Sequence, residues 1–163
     1  MSNASFNNTS KQFKKVPLAS VNKVAAFDYG VFLLSLRLQS TESVRQKLLK
    51  KKYPAAEVAD TIVRLLELKY LNDSQFAEVY FENLKKYKSF GFFGIKKKLM
   101  DAKLPAVLIE RLLKDFSLKD ELSIAKKFVA KNSAKTAVQL SRMLASRGFR
   151  ADTVYKVVKY PQE

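Results

Sequence analysis

One motif, written three times without gaps, constrains this chain more than any other feature. It reads Val44-x3-Leu48-Leu49-x3-Tyr53-Pro54-x3-Val58-x3-Ile62, then Ile95-x3-Leu99-Met100-x3-Leu104-Pro105-x3-Ile109-x3-Leu113, then Leu140-x3-Leu144-Ala145-x3-Phe149-Arg150-x3-Val154-x3-Val158. The copies are offset by 51 and then 45 residues, with apolar positions at helical spacing. A repeat of that period predicts a tandem array of small helical units rather than one enzyme fold closed around a pocket. Function is then expected on an extended surface.

Within the 163 residues the period marks a flexible N-terminal segment over 1–19 and three-helix units over 20–71, 72–116 and 117–163. Units of about fifty residues are marginal alone, because a small domain buries too little of its chain, so each needs its neighbours. The predicted fold is all-α: an elongated tandem array of three three-helix bundles. β-Branched residues follow helical rather than alternating spacing, so no strand is expected.

The first helix is expected from Ser20 to Gln39, burying Phe27, Val31, Leu34 and Leu38. Ser40-Thr41 can cap a second helix ending near Lys51, and Pro54 suits the first turn of a third that reaches Lys69. In the next unit Asn72 caps and Gln75 can reach back to it, while Phe76, Tyr80, Leu84 and Tyr87 form the expected core stripe. A short helix over Ile95 to Ala102 follows, and Pro105 opens the last, ending near Phe116. Ser117-x-x-Asp120 resembles a capping box for a helix burying Leu122, Ala125 and Val129. Helices around Ala134 to Ser146 and Arg150 to Lys159 complete the array.

Net charge is +16, from 31 Lys+Arg against 15 Asp+Glu, which points to a polyanionic partner such as nucleic acid or an acidic protein surface. It is unevenly spread, at +8 over 1–52, −4 over 53–82, +6 over 83–103 and +6 over 104–163. The acidic stretch of Glu57, Asp60, Glu67, Asp73, Glu78 and Glu82 would interrupt a nucleic-acid track, and intramolecular or protein contacts are expected of it. Lacking His and Cys, the chain has no imidazole acid–base pair, thiol nucleophile or His-bearing metal site. Glu57 with Asp60, and Glu78 with Glu82, read as solvated charge rather than magnesium ligands. No catalytic, cofactor or metal residue is assigned. No apolar run reaches membrane-span length and the start lacks a signal-peptide core, so a cytoplasmic protein is expected.

Three stretches resemble hallmarks of the RecX family of recombination regulators. They are Leu33-Leu34-Ser35-x-Arg37 with Ser40-x3-Val44-x2-Lys47-Leu48, then Tyr70-Leu71-Asn72-Asp73-x-x-Phe76-Ala77-x-x-Tyr80, then Phe90-Gly91-x3-Ile95-x3-Leu99. The resemblance covers about residues 25 to 160 and is weakest in the third unit. It implies a bacterial cytoplasmic protein, expected to be a monomer, that binds RecA and the RecA–single-stranded DNA filament and restrains its ATPase and strand exchange. Direct DNA contact stays open. The chain departs from the family where the second helix turns into the third: Gly148 keeps the usual glycine, but Lys52 and Lys103 hold the equivalent positions. Leu36 and Leu38 replace residues that are often charged in the family, and Phe92 replaces a frequent proline.

Contact candidates for RecA or DNA are Arg37, Arg45, Lys50, Lys51, Lys96, Lys97, Arg142 and Arg147, most of them off the apolar stripes of matching helices. Lys85, Lys86 and Lys88 form a further cluster around Tyr87, whose place on the stripe argues core rather than a stacking platform. In Phe90-Gly91-Phe92-Phe93-Gly94, Phe90 reads as a plug between helices, and Phe92 and Phe93 as protein-contact candidates. The rival to a filament regulator is a sequence-independent nucleic-acid-binding protein with helix-turn-helix-like units. An adaptor holding two other proteins is the third possibility.

Overall fold

A computed structural model describes residues 25–158. Among them nine helices follow in order and no strand occurs: α1 (Ala26–Leu36), α2 (Thr41–Lys50), α3 (Ala55–Glu67), α4 (Asp73–Lys86), α5 (Phe92–Asp101), α6 (Ala106–Lys114), α7 (Leu118–Lys131), α8 (Ala137–Ser146) and α9 (Ala151–Val157). The segment expected over 1–19, the start of the first helix and the end of the last lie outside the described residues. Each successive trio of helices closes around its own apolar core. The repeated motif supplies much of these cores: Val44, Leu48, Val58, Ile95, Leu99 and Leu144 are almost completely buried. Burying each such side chain contributes roughly 1.5–3 kcal/mol. Of the paired apolar positions in the motif, the second faces out, as Leu49 and Met100 do.

The first helix of each unit is rotated from its expected face. Ala26, Gly30 and Leu33 are the buried row of α1, whereas Leu38 is exposed; Ala77, Phe81 and Leu84 are that of α4; Glu121, Ala125 and Phe128 are that of α7. Phe27, Val31, Leu34, Phe76, Tyr80, Leu122 and Val129 flank these rows half-buried. Close approach explains the shift. A Cβ on Gly30 would lie 2.9 Å from Leu65 Cδ1, so α1 meets α3 through a residue with no side chain to register as apolar.

Each turn from the second helix into the third is a Schellman cap. Lys52 N–H donates to Leu49 O and Tyr53 N–H to Leu48 O, a pattern repeated at Lys103 and Leu104 and at Gly148 and Phe149. The residue at the turn is left-handed in all three, with φ of 67° at Lys52, 60° at Lys103 and 72° at Gly148. The two lysines therefore carry the backbone strain that glycine avoids at Gly148. Substituting glycine at Lys52 or Lys103 is expected to raise stability by about 0.5–1 kcal/mol each, the relief of strain exceeding the added entropy of the unfolded chain. A lower thermal midpoint in either variant would contradict this. Pro54 and Pro105 fall one position earlier than expected, at the N-cap rather than inside the first turn. Helix α5 begins three residues before its expected start at Ile95, absorbing Phe92, Phe93 and Gly94.

Neighbouring units are locked by polar contacts that cross between them. Ser40, fully buried, caps α2 by accepting from Ser43 N–H, and its hydroxyl donates to Ala102 O at the end of α5, 2.5 Å away. Asp73, the first residue of α4, accepts from both the N–H and the hydroxyl of Thr41 at the start of α2 (2.7 and 3.0 Å). The same device recurs one unit later with a longer acid. Glu121 of α7 is fully buried; its Oε1 accepts from Phe92 N–H (2.8 Å) and Arg150 N–H (3.1 Å), capping α5 and α9 together. Its Oε2 accepts from Thr153 Oγ1 (3.1 Å) and faces Arg150 Nε at 3.6 Å. Carboxylates satisfy the free amides of a helix start and complement its positive end, so one side chain stabilises two helices and ties the second unit to the third. Around it the backbones touch: Gly91 N–H donates to Arg147 O and Phe93 N–H to Gly148 O.

Candidate partner-binding surface

The candidate cations are placed by the outer faces of the helices, but not all are equally free. Lys50 and Lys51 at the end of α2, Lys96 and Lys97 on α5, and Arg142 on α8 are exposed. Arg45 is half-buried and within 3.4 Å of Glu42. Lys51 lies 5.6 Å from the Tyr29 ring. Arg147 belongs to the joint between the second and third units: its guanidinium donates to Lys88 O (2.7 Å) and lies over Phe128 at 4.7 Å and Phe90 at 5.8 Å.

Arg37 lines a cleft of about 500 Å³ where the first unit meets the second, opposite Phe76, Tyr80, Lys98 and Asp101. Burial, then Asp101, pushes the Tyr80 phenol up, against the pull of Arg37. Burial, then the neighbouring Arg37, holds Lys47 below the ordinary lysine range, and its ammonium donates to Gln39 Oε1.

Lys85 pairs with Glu82 at 2.5 Å and lies 4.5 Å from the Phe81 ring. Lys86 and Lys88 are exposed. Tyr87 corrects the expected core stripe: it is 69% exposed, with Lys86 Nζ 5.5 Å from its ring. Its row on α4 is that of Phe76 and Tyr80, beside the buried one, and at the helix end it stands largely in solvent. Phe90 is half-buried under Arg147 and Lys98, as a plug would be. Phe92 stacks on Phe116 at 6.4 Å with Arg150 over its ring at 4.1 Å, which places it in the joint, whereas Phe93 is 58% exposed.

The acidic stretch does make intramolecular contacts. Glu57 accepts from Ala26 N–H at the start of α1 (3.2 Å), Asp73 caps α2, and Glu78 pairs with Arg111 (3.0 Å). Glu57 is thus a cap rather than the solvated charge its spacing suggested. The forward cap at Asn72 forms, accepting from Gln75 N–H, and the box of Ser117 and Asp120 closes in both directions. Ser117's hydroxyl and then its N–H hold the Asp120 carboxyl below the usual range. A second closed box, Thr136 with Gln139, starts α8 and went unread in the sequence. Sequence reasoning also missed Asp73 and Glu121 as a pair. The repeat gives no signal for it, since its offset of 45 residues sets Asp73 against Leu118 rather than Glu121.

Among the described residues no group of three acidic, His or Cys side chains is arranged to hold a metal, and no helix is long and apolar enough to cross a membrane. The molecule is a helical-repeat protein whose distinctive features are its outer surface and its joints. Residues 26–65 match the model of the first three-helix domain of RecX. The regulatory protein RecX of Bacillus subtilis (strain 168) is 31% identical over 136 residues, covering 78% of this chain and 52% of its own. RecX of Chlorobium phaeobacteroides (strain BS1) is 26% identical, over 84% of this chain and 93% of its own. The crystal structure of RecX from Lactobacillus salivarius superposes with a TM-score of 0.67 at 18% identity, covering 82% of this chain and 92% of that one. The chain belongs to the RecX family of regulatory proteins. It spans about half the length of the Bacillus relatives it matches.

Proposed function

We propose that the protein binds RecA and its filament on single-stranded DNA and restrains the recombinase and its ATPase, without itself catalysing a reaction. What supports this reading is the locked array: three bundles docked through buried side chains and backbone contacts, with exposed cations on α2, α5 and α8. Such an array suits a repeating partner. Once one unit docks on a filament, the others bind at high effective concentration, so modest contacts at Arg45, Lys50, Lys51, Lys96, Lys97 and Arg142 suffice to span neighbouring protomers and hinder their nucleotide-driven changes. Phe93 supplies an apolar contact beside them. The protein acts as a monomer in the cytoplasm, with no cofactor.

The test is the single-stranded-DNA-dependent ATPase rate of the cognate RecA as the protein is titrated in, beside a control for binding to bare DNA at the same salt. A fall in rate below one molecule per RecA, where bare DNA stays free, is expected. Loss of the rate only once the DNA itself is coated would favour the sequence-independent nucleic-acid-binding reading. The helix starts speak against a sequence-specific one, since Ala55, Ala56, Ala106 and Val107 offer no donor to a base edge and Glu57 is engaged with Ala26. Reversing charge at Arg45, Lys96 and Lys97 is expected to weaken filament binding severalfold and flatten its salt dependence; an apolar adaptor would be indifferent to the change.

A further inference from the structure

The geometry points to a subsite for single-stranded nucleic acid at the seam between the end of α4 and the face of α7, where Tyr87 stacks on a base and lysines hold the flanking phosphates. This goes beyond the filament reading, because the contact requires no recombinase. The seam is a cleft of about 340 Å³ lined by Lys85 and Lys86 from α4 and Lys127 and Lys131 from α7, with Glu82 and Asp120 also in its lining. Both carboxylates are engaged: Glu82 with Lys85, and Asp120 with the N–H and hydroxyl of Ser117 (3.2 and 2.6 Å). Lys86, Lys127 and Lys131 make no ion pair among the described residues. The cleft therefore holds uncompensated positive charge.

Beside it stands an aromatic ring that folding has left uncovered. Tyr87 is the C-cap of α4 and 69% exposed, and Lys86, which lines the cleft, lies 5.5 Å from its ring. The position is held firmly. Lys88 O accepts from the Arg147 guanidinium, and Phe90 N–H donates back to Leu84 O across the left-handed Ser89. A fixed, exposed ring joined through Lys86 to a basic cleft matches the requirement for binding unpaired bases, whose faces a duplex conceals in its stack. Such a site is tolerant of sequence, since every base has a face to stack.

The test is fluorescence anisotropy of a short labelled oligothymidylate with the whole chain and no RecA present. Tyr87→Leu is expected to weaken binding about tenfold, Tyr87→Phe to retain it, and Tyr70→Leu, an exposed tyrosine in the acidic stretch, to leave it unchanged. Removing Lys127 and Lys131 together is expected to lower the slope of log affinity against log salt by about 1.4. On an abasic oligomer of the same length, wild type and Tyr87→Leu are expected to bind equally. The proposal is overturned if Tyr87→Leu binds oligothymidylate as wild type does, or if it loses as much on the abasic strand, since either result removes the base from the contact. A neutral Tyr87→Leu with sensitive lysines likewise overturns it, leaving a plain polyanion surface. Oligouridylate binding with the same tyrosine dependence would extend the site to RNA; binding of DNA alone would confine it to that strand.

Discussion

Glu121→Ala is expected to lower the free energy of unfolding by about 3–5 kcal/mol, the range seen when a buried polar network loses its acceptor. The carboxylate is fully buried and serves Phe92 N–H, Arg150 N–H and the Thr153 hydroxyl, with Arg150 Nε beside it. Deleting it strands two helix-start amides and one hydroxyl away from water, each costing about 1–3 kcal/mol. Because these donors belong to α5 and α9, the loss should appear as early melting of the third unit. Urea denaturation followed by hydrogen exchange reads both effects. Glu121→Gln separates charge from shape: its carbonyl can still accept the two N–H groups while its amide donates to Thr153, so a much smaller loss is expected. A loss under about 1 kcal/mol in the alanine variant would mean that the joint is held by packing alone.

Gly94→Ala should be nearly as damaging, by about 3 kcal/mol. A Cβ there would lie 2.0 Å from Arg147 O, and one at Gly91 would lie 2.3 Å from Phe149 Cα. These are backbone atoms, and they are tied: Gly91, Phe93 and Gly94 all donate to the Arg147 and Gly148 carbonyls. No rotamer change relieves the clash, so the start of α5 must part from the turn between α8 and α9. Thermal denaturation checks the size, and a midpoint within two or so degrees of wild type would show that the backbones part without cost. Glu121 and Gly94 act on one interface, so the double variant should lose less than the two single losses added together. Under the proposed function, either variant should also weaken inhibition of RecA, because a freed third unit no longer docks in register.

The periodic core was legible because burial at the second and third helices is carried by large apolar side chains at regular spacing. Val44, Leu48, Ile95, Leu99, Leu140 and Leu144 announce themselves. The first helices were read one position off, since their buried rows contain Ala26, Gly30, Ala77 and Glu121, which no hydropathy pattern marks as interior. Tyr87 was misplaced for the converse reason. An aromatic at the right spacing looks like core, and only the packing at the helix end leaves it in solvent.

Composition and repeat period by themselves determined an all-α tandem array, rich in positive charge, without imidazole or thiol chemistry. Those properties follow from residue types and their spacing along one chain. The joints were decided by tertiary structure alone. That Asp73 and Glu121 cap helices of neighbouring units, that Gly91 and Gly94 meet Gly148 and Phe149, and that Tyr87 stands exposed beside Lys86 are all matters of which surfaces meet. A carboxylate reads the same in sequence whether it faces water or two helix ends, and only packing supplies the donors that hold it inside.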